Sequence, residues 1–279
     1  MVTMIVGPLS GIRVVSLAIN LPGPAAAARC TALGADVTTV LPPSGDPMAM
    51  FQADWFEQLH AGQELITADL KSAEGSELLH GLLDKADLLI TSSRPSALAR
   101  LGLDPDSLAT RHPRLCHVAI VGHPGTEAEV PGHDLTYQAV NGLLSPPAMP
   151  STLIADMAGS ERAAQEGIAA LLYRERTGTA SHREVALSDV AEMMAEPAQR
   201  GLTTAGGVLG GGLGVYGLYE TKQGWVALAA LEPHFAQRAM TELAPDGSPA
   251  AFAQAFLTRT AAEWEQWAAE RDIPLVAVP

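Results

Sequence analysis

Cysteine, basic residues and long apolar runs are scarce in this chain of 279 residues. Its two cysteines, Cys30 and Cys116, are too few for a disulfide framework and form no CxxC pair, which fits a reducing compartment. The 17 basic residues are outnumbered by 31 acidic ones, so the net charge is −14 and neither nucleic acid nor an anionic membrane is an expected partner. No apolar run approaches the ~20 residues of a membrane span, and the start does not resemble a signal peptide. We therefore expect a cytoplasmic protein.

Several catalytic and nucleotide-binding motifs are also missing. The chain contains neither the phosphate-binding pattern GxxxxGK[ST] nor the GxSxG elbow of serine hydrolases. Residues 212–217 match GxGxxG, but they run into a predicted hairpin instead of opening a helix after a strand, so they do not predict a dinucleotide site. The eight histidines lack the HExxH or His/Cys spacing of a metal site, and no metal is expected.

The first two thirds of the chain alternate short β-branched runs with helical stretches. Predicted strands are Ile12–Leu17, Asp36–Leu41, Leu65–Ala68, Asp87–Thr91, Cys116–Val121 and Arg183–Leu187. Predicted helices are Pro24–Leu33, Ser72–Lys85, Ser96–Leu103, Asp106–Arg111, Leu135–Leu144 and Ser160–Arg176. Strands that alternate with helices form βαβ units, so the sequence predicts an α/β domain with a parallel sheet covered on both faces.

The composition changes after Gln199. Residues 201–217 contain eight glycines and almost no charge, which predicts a linker. A hairpin is expected from Tyr216–Glu220 and Trp225–Ala229, followed by helices over His234–Leu243 and Ala250–Glu270 and a final apolar strand within 273–279. We therefore expect a large α/β domain at 1–199, a glycine-rich linker at 200–217 and a small domain at 218–279.

Two short segments carry candidate functional residues. His133 and Asp134 follow the strand Cys116–Val121 and its loop, near the carboxyl edge of the predicted sheet, where ligands of open α/β folds bind. Asp156 follows an apolar run at the start of the longest predicted helix. Each has a structural alternative, because His133 or Asp134 could cap the next helix, and Asp156 could be an N-cap. Chain order alone does not separate the two interpretations.

A series of different short motifs extends along nearly the whole chain. They are Gly11–Leu17, Pro22–Pro24, Leu33–Val37, Gly45-Asp46, Ala68–Lys71, Ala86-Asp87, Arg94-Pro95, Leu101–Leu103, Pro131–Asp134, Asp156–Gly159, Ala170–Gly178, Tyr219–Thr221 and Leu231–Phe235. In these motifs the chain resembles the family III CoA-transferases, the group that includes the α-methylacyl-CoA racemases. The resemblance implies a Rossmann-like parallel sheet in a large CoA-binding domain, a smaller α+β domain and an interlocked homodimer.

The resemblance also implies an enzyme with named roles. His133, Asp156 and Glu232 match residues with which the racemases invert the carbon alpha to a thioester, His and Asp acting as acid and base and Glu232 orienting His133. Backbone N–H groups at 156–159 are expected to stabilise the enolate. Two alternatives stay open: CoA transfer between carboxylic acids through an aspartyl intermediate at Asp156, and a degenerate homologue or partner subunit without activity.

Coenzyme A is expected as part of an acyl-CoA substrate, in fatty acid metabolism, with no permanently bound cofactor. Arg94, Arg100 and Lys71 are the cations expected to meet its phosphates. The chain departs from the family pattern at Thr38, Thr39 and Gln63, where members carry Arg or Lys, so CoA binding is expected to be weakened. The acyl group is not predicted.

Overall fold

The computed structural model describes residues 7–279, which divide into two compact units. The first runs to Met194 and the second comprises Ala195–Pro279. The glycine-rich segment predicted as a linker clusters with the second unit. The predicted domain boundaries at 199 and 217 stay predictions. No helix in the described part of the chain is both long and apolar enough to cross a membrane.

The first unit contains a six-stranded, fully parallel sheet in the order β3-β2-β1-β4-β5-β6. Its strands are β1 (Arg13–Ser16), β2 (Asp36–Leu41), β3 (Glu64–Thr67), β4 (Leu88–Thr91), β5 (Cys116–Val121) and β6 (His182–Ala186). This confirms the α/β fold with a parallel sheet. Every residue of β4 and β5 is buried, as expected of central strands that helices cover on both faces.

Nine α-helices are described that begin in the first unit, besides a short 3-10 helix at Gly125–Glu129. They are α1 (Pro22–Ala32), α2 (Pro47–Phe51), α3 (Ala53–Leu59), α4 (Ala73–Leu83), α5 (Pro95–Arg100), α6 (Pro105–Arg111), α7 (Asp134–Val140), α8 (Ile154–Thr177) and α9 (Leu187–Gln199). Small residues of α8 such as Ala163 and Ala170 share one buried core with Val118 and Ile90 of the sheet. Helix α8 ends at Gly178, which has a φ of 76° and supplies the left-handed residue that often follows a helix.

The second unit is a three-stranded antiparallel sheet packed against helices. Its elements are β7 (Tyr216–Glu220), β8 (Trp225–Ala229), α10 (Pro233–Leu243), α11 (Pro249–Phe256), α12 (Ala261–Ala269) and β9 (Leu275–Val278). The predicted hairpin and final strand are confirmed, and β9 pairs with β8. The expected single helix at 250–270 is wrong, because Thr260 and Glu263 form a capping box that starts a new helix. The glycine-rich stretch turns at Val208–Gly212, where Gly211 has a φ of 90° that favours glycine.

Candidate active site

A cavity of about 250 Å³ opens at the carboxyl edge of the parallel sheet. The chain passes from β1 to β2 on one side, while β4 pairs with β1 on the other, so the order of the strands reverses at β1. A crevice forms where the connections leave in opposite directions, and ligands of open α/β sheets bind there. The cavity is lined by Ile19, Asn20, Pro22, Ser92, Arg94, Ile120, Val121, Gly122, Ala128, Val130, Pro131, Gly132, His133, Tyr137, Asp156 and Leu187.

Asp156 is a half-buried carboxyl group in the first turn of α8. Burial and, to a smaller extent, the nearby negative charge of Asp134 together raise its pKa to about 7. A carboxyl group with this pKa is present in both protonation states near neutral pH. It can therefore both accept and donate a proton, which is the property required of a reversible acid and base.

Asp134 is buried under the start of α8, with 3% of its surface exposed. Its Oδ1 accepts the backbone N–H groups of Ala155 at 2.7 Å and Asp156 at 3.0 Å, and its Oδ2 accepts the side-chain amide of Gln138. These bonds provide an acceptor for two backbone N–H groups of the first turn of α8 that have no partner within the helix. Of the two residues that could cap the helix directly after them, His133 occupies the N-cap position of α7, whereas Asp134 is the first residue of α7 and caps α8.

The same hydrogen bonds explain two further differences between the structure and the predictions made from the sequence. Helix α8 begins at Ile154 and not at Ser160, because Asp134 supplies a cap from another part of the chain. Asp156 is accordingly the third residue of this helix and does not cap it, since Leu153 occupies the N-cap position. The expected oxyanion donors are also engaged: the N–H of Asp156 donates to Asp134, and that of Met157 donates to the carbonyl of Leu153.

His133 immediately precedes α7 and is exposed. Its side chain makes no capping hydrogen bond to the helix, while its backbone N–H donates to Oγ1 of Thr136 at 3.0 Å. His133 and Asp156 line the same cavity, so the fold brings together two of the three predicted catalytic residues. Glu232 belongs to the second unit, where it is exposed at the N-cap position of α10, and its role stays a prediction.

Only one of the three expected CoA-binding cations contributes to the cavity within residues 7–279. Arg94 lines it, whereas Lys71 and Arg100 do not. Arg94 and Arg100 also lie near Glu129, whose pKa is held below its ordinary value first by hydrogen bonds from Ser96 and then by these two charges. The role of all three cations in CoA binding stays a prediction.

Thr39 and Gln63, two of the positions at which the chain departs from the family pattern, contact each other. Oγ1 of Thr39 donates to Oε1 of Gln63 at 2.7 Å, joining the buried end of β2 to the start of β3. Thr38 similarly donates to a carboxylate oxygen of Glu64 at 3.3 Å. Neutral side chains occupy these three positions, and Thr38 pairs with an acidic residue, so none of the three offers a positive charge to a phosphate group.

Three polar residues that line the cavity are not indicated by any sequence motif. Asn20 has a φ of 70°, in the left-handed region that Asn tolerates better than most residues, and its N–H donates to both carboxylate oxygens of Asp46. Oγ of Ser92 accepts the N–H of Ile19, which ties the ends of β4 and β1 together. Tyr137 projects from α7 towards the cavity. No motif marks these residues, because their places depend on the fold.

No group of three or more His, Cys, Asp or Glu side chains within the described range is arranged to hold a metal ion. The polar groups of the cavity are instead one carboxyl, one imidazole, one guanidinium and several neutral donors and acceptors. Such a set can move protons and bind an anionic, oxygen-containing substrate.

The model of the family described as CoA-transferase family III matches residues 9–279. The chain therefore belongs to this family, as the motifs in its sequence indicated.

Relatives in the family include both transferases and racemases. The chain is 32% identical to the probable fatty acyl-CoA transferase Rv3272 of Mycobacterium tuberculosis over 66% of its length and 51% of the relative. It is 32% identical to succinate–glutarate CoA-transferase of Agrobacterium fabrum over 66% of its length and 52% of the relative. It therefore spans about half the length of these two proteins. It is 28% identical to human alpha-methylacyl-CoA racemase, over 92% of its length and 74% of the racemase.

Solved structures of the family have the same fold. A crystal structure of the Mycobacterium tuberculosis protein Rv3272 superposes with a TM-score of 0.83 at 26% identity, covering 99% of this chain and 86% of that one. A CAIB/BAIF family protein from Brucella suis superposes with a TM-score of 0.81 at 25% identity, covering 98% and 84%.

Proposed function

We propose that this protein racemises or epimerises 2-methylacyl-CoA thioesters by removing and returning the proton on the carbon alpha to the thioester. The observation that carries the proposal is the pairing of His133 with Asp156 around one cavity, the carboxyl having a pKa of about 7. A reaction that must run in both directions needs two groups that each exist as acid and base near neutral pH. The match to the racemase over 92% of the chain supports the same chemistry.

In the proposed reaction one of the two residues removes the α-proton, and the electron pair of the broken C–H bond moves towards the carbonyl, giving an enolate oxygen. The other residue then delivers a proton to the opposite face of the carbon, and the electron pair returns from the enolate to form the new C–H bond. His133 and Asp156 exchange roles when the other enantiomer is the substrate. Arg94 binds a phosphate or another anionic group of the CoA portion.

CoA transfer is the second candidate function. Asp156 is a carboxyl group facing the cavity, and an aspartate nucleophile can carry an acyl group as an anhydride or CoA as a thioester. The two relatives with 32% identity are named as CoA-transferases, which favours this reaction. In this mechanism Asp156 is essential and His133 is not.

Incubation of a single-enantiomer 2-methylacyl-CoA in deuterated water distinguishes the two reactions. Racemisation incorporates deuterium at the α-carbon without any acceptor acid. His133→Ala and Asp156→Asn should each reduce this exchange by ~10²-fold or more, as loss of a general acid or base usually does. Asp54→Asn, which changes an exposed aspartate at the start of α3 in the same way, should exchange at the unaltered rate.

Other outcomes point to other functions. Acyl exchange that requires an added carboxylic acid, and that survives His133→Ala but not Asp156→Asn, would replace racemisation with transfer. Absence of both reactions in a folded protein would support a homologue without catalytic activity.

A further inference from the structure

Tyr137 is buried but keeps its hydroxyl group available to the cavity. Its side chain, 2% exposed, packs in the core of the first unit, and its ring meets His123 edge to face at 5.3 Å between centroids. Tyr137 also lines the cavity that contains Asp156 and His133. The ring is therefore fixed by packing on one side, while the residue reaches the candidate active site on the other.

Two glycines leave room for this phenol. A methyl group at Gly122 would lie 2.5 Å from the hydroxyl oxygen of Tyr137, and one at Gly132 would lie 2.6 Å from its Cε1. Both distances are far below van der Waals contact. Gly122 directly follows β5 and Gly132 directly precedes His133, so the lack of side chains at these two positions allows the hydroxyl to lie between the segments that form the wall of the cavity.

The hydroxyl group of Tyr137 has no hydrogen-bond partner among the residues that the structure describes. Tyr219 in the second unit provides a contrast, because its hydroxyl donates to the carbonyl of Gly214 at 2.6 Å. Buried tyrosines ordinarily find such a partner. Burial raises the pKa of Tyr137, and the charges of Asp156 and Asp134 act in the same direction, so the phenol keeps its proton at neutral pH and remains a donor.

The backbone N–H groups at the start of α8, which were the expected oxyanion donors, are already hydrogen-bonded within the protein. Enolates and tetrahedral intermediates of thioesters both place negative charge on the former carbonyl oxygen. The backbone N–H groups of Ala155 and Asp156 donate to Asp134 instead. We propose that Tyr137 is a further catalytic residue, whose hydroxyl group donates a hydrogen bond to the thioester carbonyl oxygen of the bound acyl-CoA and to the oxyanion that forms from it.

This inference rests on the proposed function in that it requires an acyl-CoA in the cavity, but it holds for racemisation and transfer alike. Tyr137→Phe removes the hydroxyl and keeps the ring. Since the hydroxyl makes no hydrogen bond to the described part of the chain, the melting temperature should not change. The rate of turnover should fall on the order of 10²-fold, as for the loss of one oxyanion donor, with little change in KM. Tyr173→Phe, the same substitution at an exposed position of α8, is the matched control.

Isotope-edited infrared spectroscopy tests the hydrogen bond without relying on turnover. Acetyl-CoA labelled with ¹³C at the carbonyl should absorb at a lower frequency on the wild-type protein and on Tyr173→Phe than in water-free reference solvent, and at a higher frequency on Tyr137→Phe. An identical band on wild type and Tyr137→Phe, with acetyl-CoA bound to both, would overturn the role of Tyr137 and leave the proposed function intact. If calorimetry detected no acetyl-CoA binding to the folded wild-type protein, the proposed function would fall together with this inference.

Discussion

The raised pKa of Asp156 suits proton transfer but lowers the stability of the folded protein at alkaline pH. Its pKa is about 7 in the folded protein, against an ordinary value of 3.8. Between pH 3.8 and 7 the Asp156 carboxyl is ionised in the unfolded chain but protonated in the folded one. The stability that protonated Asp156 contributes is therefore complete below pH 3.8 and is lost as the pH rises through 7. A carboxyl group suited to exchanging protons therefore destabilises the first unit at alkaline pH.

Asp156→Asn should remove this cost because the amide has no charge to bury. At pH 8 the variant should unfold with a free energy higher by on the order of 1–2 kcal/mol, or roughly 2–8 °C in Tm, since water reaches the half-buried group and reduces the full effect. At pH 4 wild type and variant should unfold alike. Calorimetric melting across this range measures the difference, with the exposed Asp54→Asn as control. Equal Tm values at pH 8 would mean that the carboxyl group is not destabilised by burial.

The start of α8 depends on a residue outside that helix. Asp134 lies 21 residues before Ala155, whose N–H it accepts, so one buried carboxylate joins α7 to α8 and supports the backbone under Asp156. Its negative charge also contributes to the raised pKa of Asp156. Asp134 and Asp156 are therefore coupled through both a hydrogen bond and a charge.

Substitutions at Asp134 should separate the two effects. Asp134→Ala leaves two N–H groups without an acceptor and should lower the free energy of unfolding by about 2–3 kcal/mol. Asp134→Asn keeps an acceptor but removes the charge, so stability should change less, while the pH at which Asp156 titrates in the pH–rate profile should move below 7. Chemical denaturation and the pH–rate profile measure the two quantities. A pH–rate profile that does not shift in Asp134→Asn would contradict the charge coupling.

Elements could be predicted from sequence where local pattern alone determines them. Strands β2 and β5 have their predicted bounds, because each is a short run of apolar and β-branched residues ended by turn residues or a charge. The start of α8 was placed six residues too late, because its cap comes from a distant residue. Helices α2 and α3 were not predicted, since neither has the long apolar periodicity that identifies a helix from sequence.

Two residues of the candidate site could be predicted from the sequence, whereas Tyr137 could not. His133 and Asp156 were identified by family motifs, and their shared cavity follows from the parallel order of the strands. Tyr137 could not be found in this way, because its availability depends on the missing side chains at Gly122 and Gly132 and on a hydroxyl group that has no hydrogen-bond partner within residues 7–279. Contacts between distant segments carry this information, and a single sequence contains no pattern that reports them.

At the scale of the whole molecule, the second unit presents one open apolar face. The side chains of Leu218, Trp225, Val276 and Val278 point away from the helix-covered face of the three-stranded sheet and are 67%, 49%, 54% and 41% exposed. Apolar surface of this kind favours association. The interlocked homodimer implied by the sequence resemblance stays a prediction, and in it Glu232 of one subunit would lie beside His133 of the other.

Complementation tests whether the site is shared between subunits. Inactive His133→Ala chains refolded with inactive Glu232→Ala chains should regain roughly a quarter of wild-type activity, because half of the dimers are mixed and each mixed dimer has one intact site. His133→Ala refolded with Asp156→Asn should regain none, since these two residues line one cavity of the same chain. Two differently tagged chains identify the mixed dimers. Mixed dimers without activity in the first combination would exclude a shared site.

The position of β1 in the sheet determines the order in which this protein can assemble as it is synthesised. Val14 of β1 pairs on one side with Val37 of β2, which follows soon after it in the chain. On its other side it pairs with Leu88 of β4, which is synthesised much later. The cavity is complete only after Leu187 has been added, because its walls come from six separated segments. Contacts so far apart in sequence form slowly, and the apolar strands stay exposed in the meantime. A nascent chain therefore cannot form the complete cavity until almost all of the first unit has left the ribosome.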